Sequence, residues 1–403
     1  MAVRNIGRRP RRSVLSIVAI ALAALTMTVL FALVAGIKAD LAGNLQRYST
    51  GQVLVEDRGL VKAGAQPLAL AITDVAALQS RLKALPGVQA VSPRITGGAS
   101  VFQDGDAVFF ALMGLDFATD PLHPQDFLLP GGRLPADAQR EALVSVGLAE
   151  KLHLKVGDTL TAVAQTRRGS SNGMTFTITG VVSPGLGSYQ IPWLFTSLAT
   201  VQRLVKLPDG ATSLLVVAPG GTEPRTLAAN VQGLLGGPGA RLAARAWFET
   251  SATWGLMDLV GYVYGIIGLV FFGLASTVII NTMLMVVLER SKEIGMLAAL
   301  GMEPRAIRAL FLTESAVLSG LGAVAGSLLG CGVTLVLQAT GLDFSASMKG
   351  VDMGISSQLR PLLEVSNPPV VIVSAVAVAL IFTLVPVGRL RKMQIVEALR
   401  GEI

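Results

Sequence analysis

The chain has 403 residues, of which 52% are hydrophobic and only 15% charged, with a mean hydropathy of +0.61. That balance excludes an ordinary soluble globular chain and fits several membrane spans joined to a soluble insert. The net charge of +7 sits at the edges of apolar runs rather than on an aromatic-bearing groove, so it argues for a membrane and against nucleic acid.

Residues 1–13 carry Arg4, Arg8, Arg9, Arg11 and Arg12 with no acid, as a cytoplasmic amphipathic segment would. The first apolar run, residues 14–37, exceeds the roughly 20 residues that a helix needs to cross about 30 Å of hydrocarbon. Arg11-Arg12-Ser13 resembles a twin-arginine export signal, but the run is too long for a cleaved signal core. It continues with helical character through Lys38, Asp40 and Asn44, so we read it as a retained anchor that extends outward as far as Tyr48.

The stretch 38–255 reads as a mixed α/β insert of two lobes. Gln52–Glu56 alternates like a strand. Thr73–Leu85 is an amphipathic helix capped by Thr73 or Asp74, with Val75, Leu78, Leu82 and Leu85 on one face. Pro86-Gly87 ends it, Val88–Ile95 is a strand, and Val101–Leu115 a hairpin turned by Asp104-Gly105-Asp106. Strands follow at Ala142–Val146, Thr159–Val163, Thr175–Val182 and Ser213–Val217, with helices ending at Leu154 and spanning Leu198–Val205. Gln165–Gly173 is either a solvated hairpin loop or a finger that touches a soluble partner through Arg167, Arg168, Ser170 and Asn172. Beyond the Gly-rich segment Gly233–Gly239, Ala240–Leu256 looks helical and runs unbroken into the next span, giving two stalk helices in all. His123 and His153 lie far apart with no second His or Cys at metal spacing, so no metal site is expected.

Residues 256–288 form the second span, with Gly261, Gly265 and Gly268 on a stripe. Residues 306–340 form the third, carrying Gly322, Gly326 and Gly330 at four-residue spacing. Small residues let helix backbones approach in lipid, so both stripes are predicted contact faces, within the subunit or between subunits. Cys331, the only cysteine, falls in this span and excludes an intrachain disulfide. Glu314 is its lone acid; it reads as a boundary carboxylate paired with Arg or Lys, with proton relay or conformational coupling as alternatives. A short outer loop, 341–369, a fourth span, 370–387, and a basic tail, 388–403, complete the chain. Arginine and lysine crowd the N-terminus, the 289–305 loop and the tail, which predicts both termini and that loop in the cytoplasm and the insert outside. Long inserts translocate regardless of their own charge.

The 289–305 loop is the most telling segment. Read as a short helix, it puts Ile294, Leu297 and Ala298 on one side, with Arg290, Lys292 and Glu293 in the first turn, Gly301 as a stop and Pro304 at the next helix start. Its apolar face needs either a lipid surface or a groove on a soluble partner. No GxxxxGK[ST] loop occurs anywhere, so the chain has no phosphate cradle of its own. No Ser/His/Asp set or paired-carboxylate motif stands out, which argues against an enzyme.

The run ERSKEIGMLAALGMEPRAIRALFLTESAVLSGLGAVAGSLLG resembles the signature of FtsX-like, or MacB/LolCE-type, ABC transporter permeases. The N-terminal MAVRNIGRRPRRSVLSI, the ending PVGRLRKMQIVEALRGE and the insert segment EALVSVGLAEKLHLKVGDTLTA also resemble the family, with residues 256–403 as its FtsX-like permease part. The resemblance implies a polytopic four-span α-helical protein with a MacB-like periplasmic domain, dimeric with a second permease subunit and served by a cytoplasmic ABC ATPase that uses the ATP. Under it, Glu289, Arg290, Lys292, Glu293, Ile294, Gly295, Leu297, Leu300 and Gly301 form the coupling helix that docks on the ATPase. Four spans, no ATPase and an insert of this size most resemble the lipoprotein-releasing LolC/LolE subunits of the bacterial inner membrane. That comparison implies a periplasmic lipoprotein carrier as partner of the 165–173 loop. It also implies an acyl-chain cavity in the dimer walled by Leu30 and Val34 on one side and Leu259 and Val263 on the other, where plain lipid-facing packing is the alternative. The competing expectations are an efflux permease with a periplasmic adaptor and a regulator of cell-wall hydrolases.

Overall fold

The computed structural model describes residues 10–61, 68–103, 106–137, 139–183, 192–289, 296, 302–343 and 358–389. It divides into two compact units. One comprises Met1–Ala39, Met257–Leu342 and Leu359–Ile403; the other comprises Asp40–Leu256 and Asp343–Gln358.

Helix α1 (Pro10–Asn44) is followed without interruption by a π-helical turn, Leu45–Thr50. The chain then forms β1 (Val53–Asp57), the single turn α2 (Arg58–Val61), α3 (Val75–Lys83), β2 (Ala90–Gln103) and β3 (Asp106–Leu115). Next come β4 (Glu141–Ser145), α4 (Val146–Leu152), β5 (Thr159–Gln165), β6 (Ser171–Val182) and β7 (Trp193–Ser197). The α/β unit ends with α5 (Leu198–Leu204), β8 (Ser213–Val217), α6 (Pro224–Leu234), β9 (Leu242–Ala246) and α7 (Trp247–Thr250). Three long helices follow: α8 (Ala252–Glu289), α9 (Pro304–Thr340) and α10 (Asn367–Arg389). Four helices, containing Ser13–Thr50, Leu259–Asn281, Arg308–Thr340 and Asn367–Leu384, are long and apolar enough to cross a membrane.

In the α/β unit, nine strands lie in the order β3-β7-β4-β6-β5-β2-β8-β1-β9, and β3 also pairs with β2. The pairings β2–β3, β3–β7, β7–β4, β4–β6, β6–β5 and β5–β2 therefore close a ring, which leaves that lobe without a free edge among the described strands. The remaining strands form an open extension from the first half of β2. That strand serves both lobes: Ala90–Arg94 pair with β8, and Arg94–Gln103 pair with β3. The ring lobe is filled by Ile95, Phe110, Leu112, Val144, Leu148, Phe176 and Leu194 with α4 and α5. The open lobe packs Val53, Val55, Val91, Leu214 and Val216 against α3 and α6. Burying such side chains fully contributes roughly 1.5–3 kcal/mol each.

Local chemistry explains where helices start. Ser145 accepts from the Leu148 N–H at 3.3 Å and Ser197 from the Thr200 N–H at 3.4 Å, each capping the helix that leaves a strand. Glu223 caps α6 by accepting from Thr226 N–H at 2.7 Å, with Pro224 in the first turn.

Several expectations need correction. Ala240–Leu256 is not a continuous stalk helix. Leu242–Ala246 is a strand, pairing antiparallel with β1 from Val53↔Ala246 to Asp57↔Leu242. Alanine, leucine and arginine favour helix locally, but the exposed edge of β1 recruits the segment, and tertiary pairing overrides propensity. The two strands expected at Val88–Ile95 and in the first arm of the hairpin are one strand, β2. At α3, Asp74 holds the cap position with φ 57° but makes no cap bond; Asp209 accepts from the Ala76 N–H at 3.0 Å instead. Strand β7 and helix α6 are additions to the predicted elements.

The helical unit has its core where all four long helices meet: Ile20, Ala24 and Met27 from α1, Phe272 and Ile279 from α8, Phe311 and Leu318 from α9, and Val371, Ala375 and Ala379 from α10.

Candidate functional site

The expected coupling segment lies almost entirely outside the described residues: Arg290, Lys292, Glu293, Ile294, Gly295, Leu297, Leu300 and Gly301 are not covered. Its flanks are. Glu289 is the last residue of α8, and Glu303 precedes α9 in extended backbone, with Pro304 opening that helix.

Within the helical unit, α9 lies against α1 along its glycine stripe. A Cβ on Gly322 would fall 2.7 Å from the Ile17 carbonyl oxygen, and one on Gly330 2.8 Å from Thr28 Cβ and 3.0 Å from the Leu25 carbonyl oxygen. On Gly326 it would meet the Ala21 backbone, with the carbonyl carbon and Cα both at 2.7 Å. The order of these contacts makes α1 and α9 parallel neighbours at backbone contact, which only glycine allows. Thr28 donates to Ser327 at 3.4 Å on the same face, and Ser315 and Thr383 share a 2.7 Å bond between α9 and α10. Glu314 is buried, at 7% exposure.

The second stripe behaves differently. On α8, only Gly268 meets a neighbour closely, with a Cβ position 3.2 Å from Met27 Sδ; Gly261 comes no nearer than 3.7 Å to Lys38 Nζ, and Gly265 faces open space. The four residues expected to wall a dimer cavity lie on α1 and α8. Leu30 packs against the bundle core and Val34 is buried, whereas Leu259 and Val263 are 59% and 47% exposed.

Within the α/β unit, the end of α1 is held by a buried ion pair. Arg94, on β2, donates from Nε to Asp120 Oδ2 at 2.6 Å and from Nη2 to Oδ1 at 2.5 Å. Its outer nitrogens also reach the π-helical turn: Nη1 donates to the Tyr48 carbonyl at 2.5 Å and Nη2 to the Arg47 carbonyl at 2.9 Å. Asp120 accepts in addition from Ser92 Oγ at 2.8 Å and the Leu122 N–H at 2.9 Å. Arg94 is 2% and Asp120 0% exposed. Beside them, Tyr48 packs with Met113, Leu115, Leu122 and Phe195. Gly51 closes the turn at φ 63°, its N–H donating to the Gln46 carbonyl at 2.8 Å.

The chain leaves this unit through an aromatic cluster. Trp247 stacks edge-on to Trp254 with ring centroids 4.5 Å apart, and Arg225 lies 5.1 Å above the Phe248 ring. The Trp247 N–H donates to the Gln52 carbonyl at 3.2 Å.

The 165–173 loop is a tight hairpin turn. Strands β5 and β6 pair up to Gln165↔Ser171, and the turn bends back to α5. Arg167 N–H donates to the Val205 carbonyl at 3.1 Å, and Asn172 Nδ2 to the Leu204 carbonyl at 2.7 Å. Arg167, Arg168 and Ser170 are exposed, while Asn172 is half-buried and engaged internally.

A family model of the MacB-like periplasmic core domain matches residues 13–234, more than half of the chain. The chain belongs to the MacB-like ABC transporter permeases. A model of the FtsX-like permease C-terminal matches residues 265–395 of the same permease. The permease is 23% identical to the lipoprotein-releasing system transmembrane protein LolC of Neisseria meningitidis over 339 residues, 78% of this chain and 79% of that one. It is 33% identical to the ABC transporter permease YtrF of Bacillus subtilis over 142 residues, 34% of this chain and only 33% of YtrF. With the macrolide export ATP-binding/permease protein MacB of Hyphomonas neptunium it shares 30% identity over 124 residues, 31% of this chain and 17% of that one. The crystal structure of the periplasmic region of MacB from Actinobacillus actinomycetemcomitans covers 49% of the permease at 14% identity and a TM-score of 0.35. Family members of this kind work with ATPase partners in ABC transporters.

Arg94 and Asp120 are absent from the residues singled out in the sequence. The available signal is a lone arginine, after Pro93, inside an otherwise apolar strand pattern.

Proposed function

We propose that this permease converts ATP hydrolysis by a separate ATPase subunit into movement of its periplasmic domain, and that the movement releases lipoproteins from the bacterial inner membrane. The observation that carries the cargo class is the extent of the LolC match, which runs through most of both chains. The mechanical part is supported by α1, a single helix from an apolar span to the hydrogen-bonded turn at Tyr48. In this reading both termini and the 289–305 loop are cytoplasmic, and the face of Leu297 enters a groove on the ATPase.

The MacB-like domain match favours a second reading, an efflux permease working with a periplasmic adaptor. Reconstitution of the permease with its co-purifying ATPase in liposomes holding a fluorescent triacylated lipopeptide separates the two. ATP-dependent transfer of lipopeptide to a soluble acceptor is expected. Hydrolysis without transfer, together with transport of a soluble amphipathic dye, would favour efflux. Leu297→Asp is expected to abolish ATPase co-purification and transfer together; retention of both would remove the docking assignment.

A further inference from the structure

We propose that Arg94, held in place by Asp120, is the positioning residue that fixes the end of the first span to the α/β domain, so that displacement of the span is delivered to both lobes and not absorbed at its own frayed end. This rests on the mechanical part of the function proposed above.

The last carbonyls of any helix lack intrahelical partners, and such ends fray unless something satisfies them. Here the last turn is also π-helical, a geometry that is rare and locally weak. A cation at a helix C-terminus meets the negative end of the helix dipole. Arg94 supplies that cation and two hydrogen bonds, to the Arg47 and Tyr48 carbonyls, from the guanidinium that Asp120 holds from its other edge. Only a planar fork with five donors serves carboxylate and helix end together; a lysine ammonium would reach one set and leave the other.

Stability alone does not explain the pair. Buried ion pairs are often no better than apolar side chains of the same size, and their best attested use is to specify one arrangement. The position of Arg94 on β2 says which arrangement. Arg94 pairs with Ser213 of β8 and with Leu115 of β3, at the residue where β2 passes from the open lobe to the ring. Its own carbonyl accepts from the Thr212 N–H at 2.8 Å. Asp120 extends the hold to the segment after β3 through Leu122. The helix end is thereby bonded at the one strand that both lobes share.

The test uses the full-length permease in lipid nanodiscs, in a Cys331→Ser background, spin-labelled after Gly43→Cys and Glu150→Cys. Gly43 is on α1 with no neighbour within 4 Å, and Glu150 is exposed on α4. Pulsed electron resonance is expected to give a narrow distance distribution with Arg94 intact and a broad one with Arg94→Lys. The double replacement Arg94→Met with Asp120→Leu, which removes both buried charges, should broaden it too while the domain melts cooperatively. A narrow distribution in both variants overturns the proposal, because other contacts then hold the helix. Loss of folding in both also overturns it, because the pair is then a folding element. A narrow distribution that broadens as expected, in a permease that never shows ATP-dependent output, would instead strike the functional reading and leave the attachment standing.

Discussion

Replacing Gly326 with alanine should separate α1 from α9, and the size of the effect follows from the geometry. The new methyl would lie 2.7 Å from both the Cα and the carbonyl carbon of Ala21. Comfortable carbon–carbon separation is about 3.5–4.0 Å, so the helices must part by about 1 Å. Those neighbours are backbone and cannot rotate away. Overpacking of this kind costs about 1–3 kcal/mol. Gly320→Ala provides the contrast: nothing lies within 4 Å of its Cβ position, and alanine is the better helix former by up to about 1 kcal/mol. Cys331 sits on the same helix as the only cysteine, so a fluorogenic thiol dye reports melting of this bundle directly. Gly326→Ala should lower the midpoint by about 2–4 °C for each kcal/mol lost, while Gly320→Ala leaves it level or raises it. Equal midpoints for the two variants would refute backbone contact between α1 and α9.

Asn172→Ala should lower the stability of the α/β domain by about 1 kcal/mol through loss of its bond to the Leu204 carbonyl, read by tryptophan fluorescence in a denaturant titration. An unchanged midpoint would mean that the turn is not tied to α5. Glu141 should make folding sensitive to acid. Its carboxyl is held below the ordinary glutamate range by the Arg133 side chain first and by the Ala136 N–H next. Its contribution is therefore present above the ordinary glutamate value and is lost as pH falls through its lower folded value. Wild type should exceed Glu141→Gln in stability at neutral pH and converge with it in acid; a gap that widens on acidification would contradict the pairing.

The spans were legible because hydrocarbon imposes length and hydropathy at once, and the runs at 14–37 and 370–387 satisfy both in isolation. Ser213–Val217 was equally plain, a short buried strand bounded by Gly210 and Pro219. β9 was not. Leu-Ala-Ala-Arg-Ala has no β-branched residue, and what makes it extended is the edge of β1, nearly two hundred positions earlier in places: Arg245 bonds Glu56 across a separation of 189 residues. Helix α6 carried its start signal in Glu223-Pro224 and an apolar face at Leu227, Ala228 and Val231, which a stricter reading of capping would find. The hold on the end of α1 leaves the weakest trace. It joins Arg94 to an aspartate 26 residues on and to carbonyls 46 and 47 residues back, and main-chain acceptors have no side-chain signature.

Strand β2 also bears on how this architecture can diversify. Because Ala90–Arg94 complete one lobe and Arg94–Gln103 the other, neither lobe is a cassette. A graft of the ring lobe from a relative would have to bring a foreign segment into the neighbouring sheet, or be spliced at Pro93. Exchange of parts among such proteins is thus easier at loops such as 166–170, and chimeras built to map specificity should swap those or the inserted domain entire.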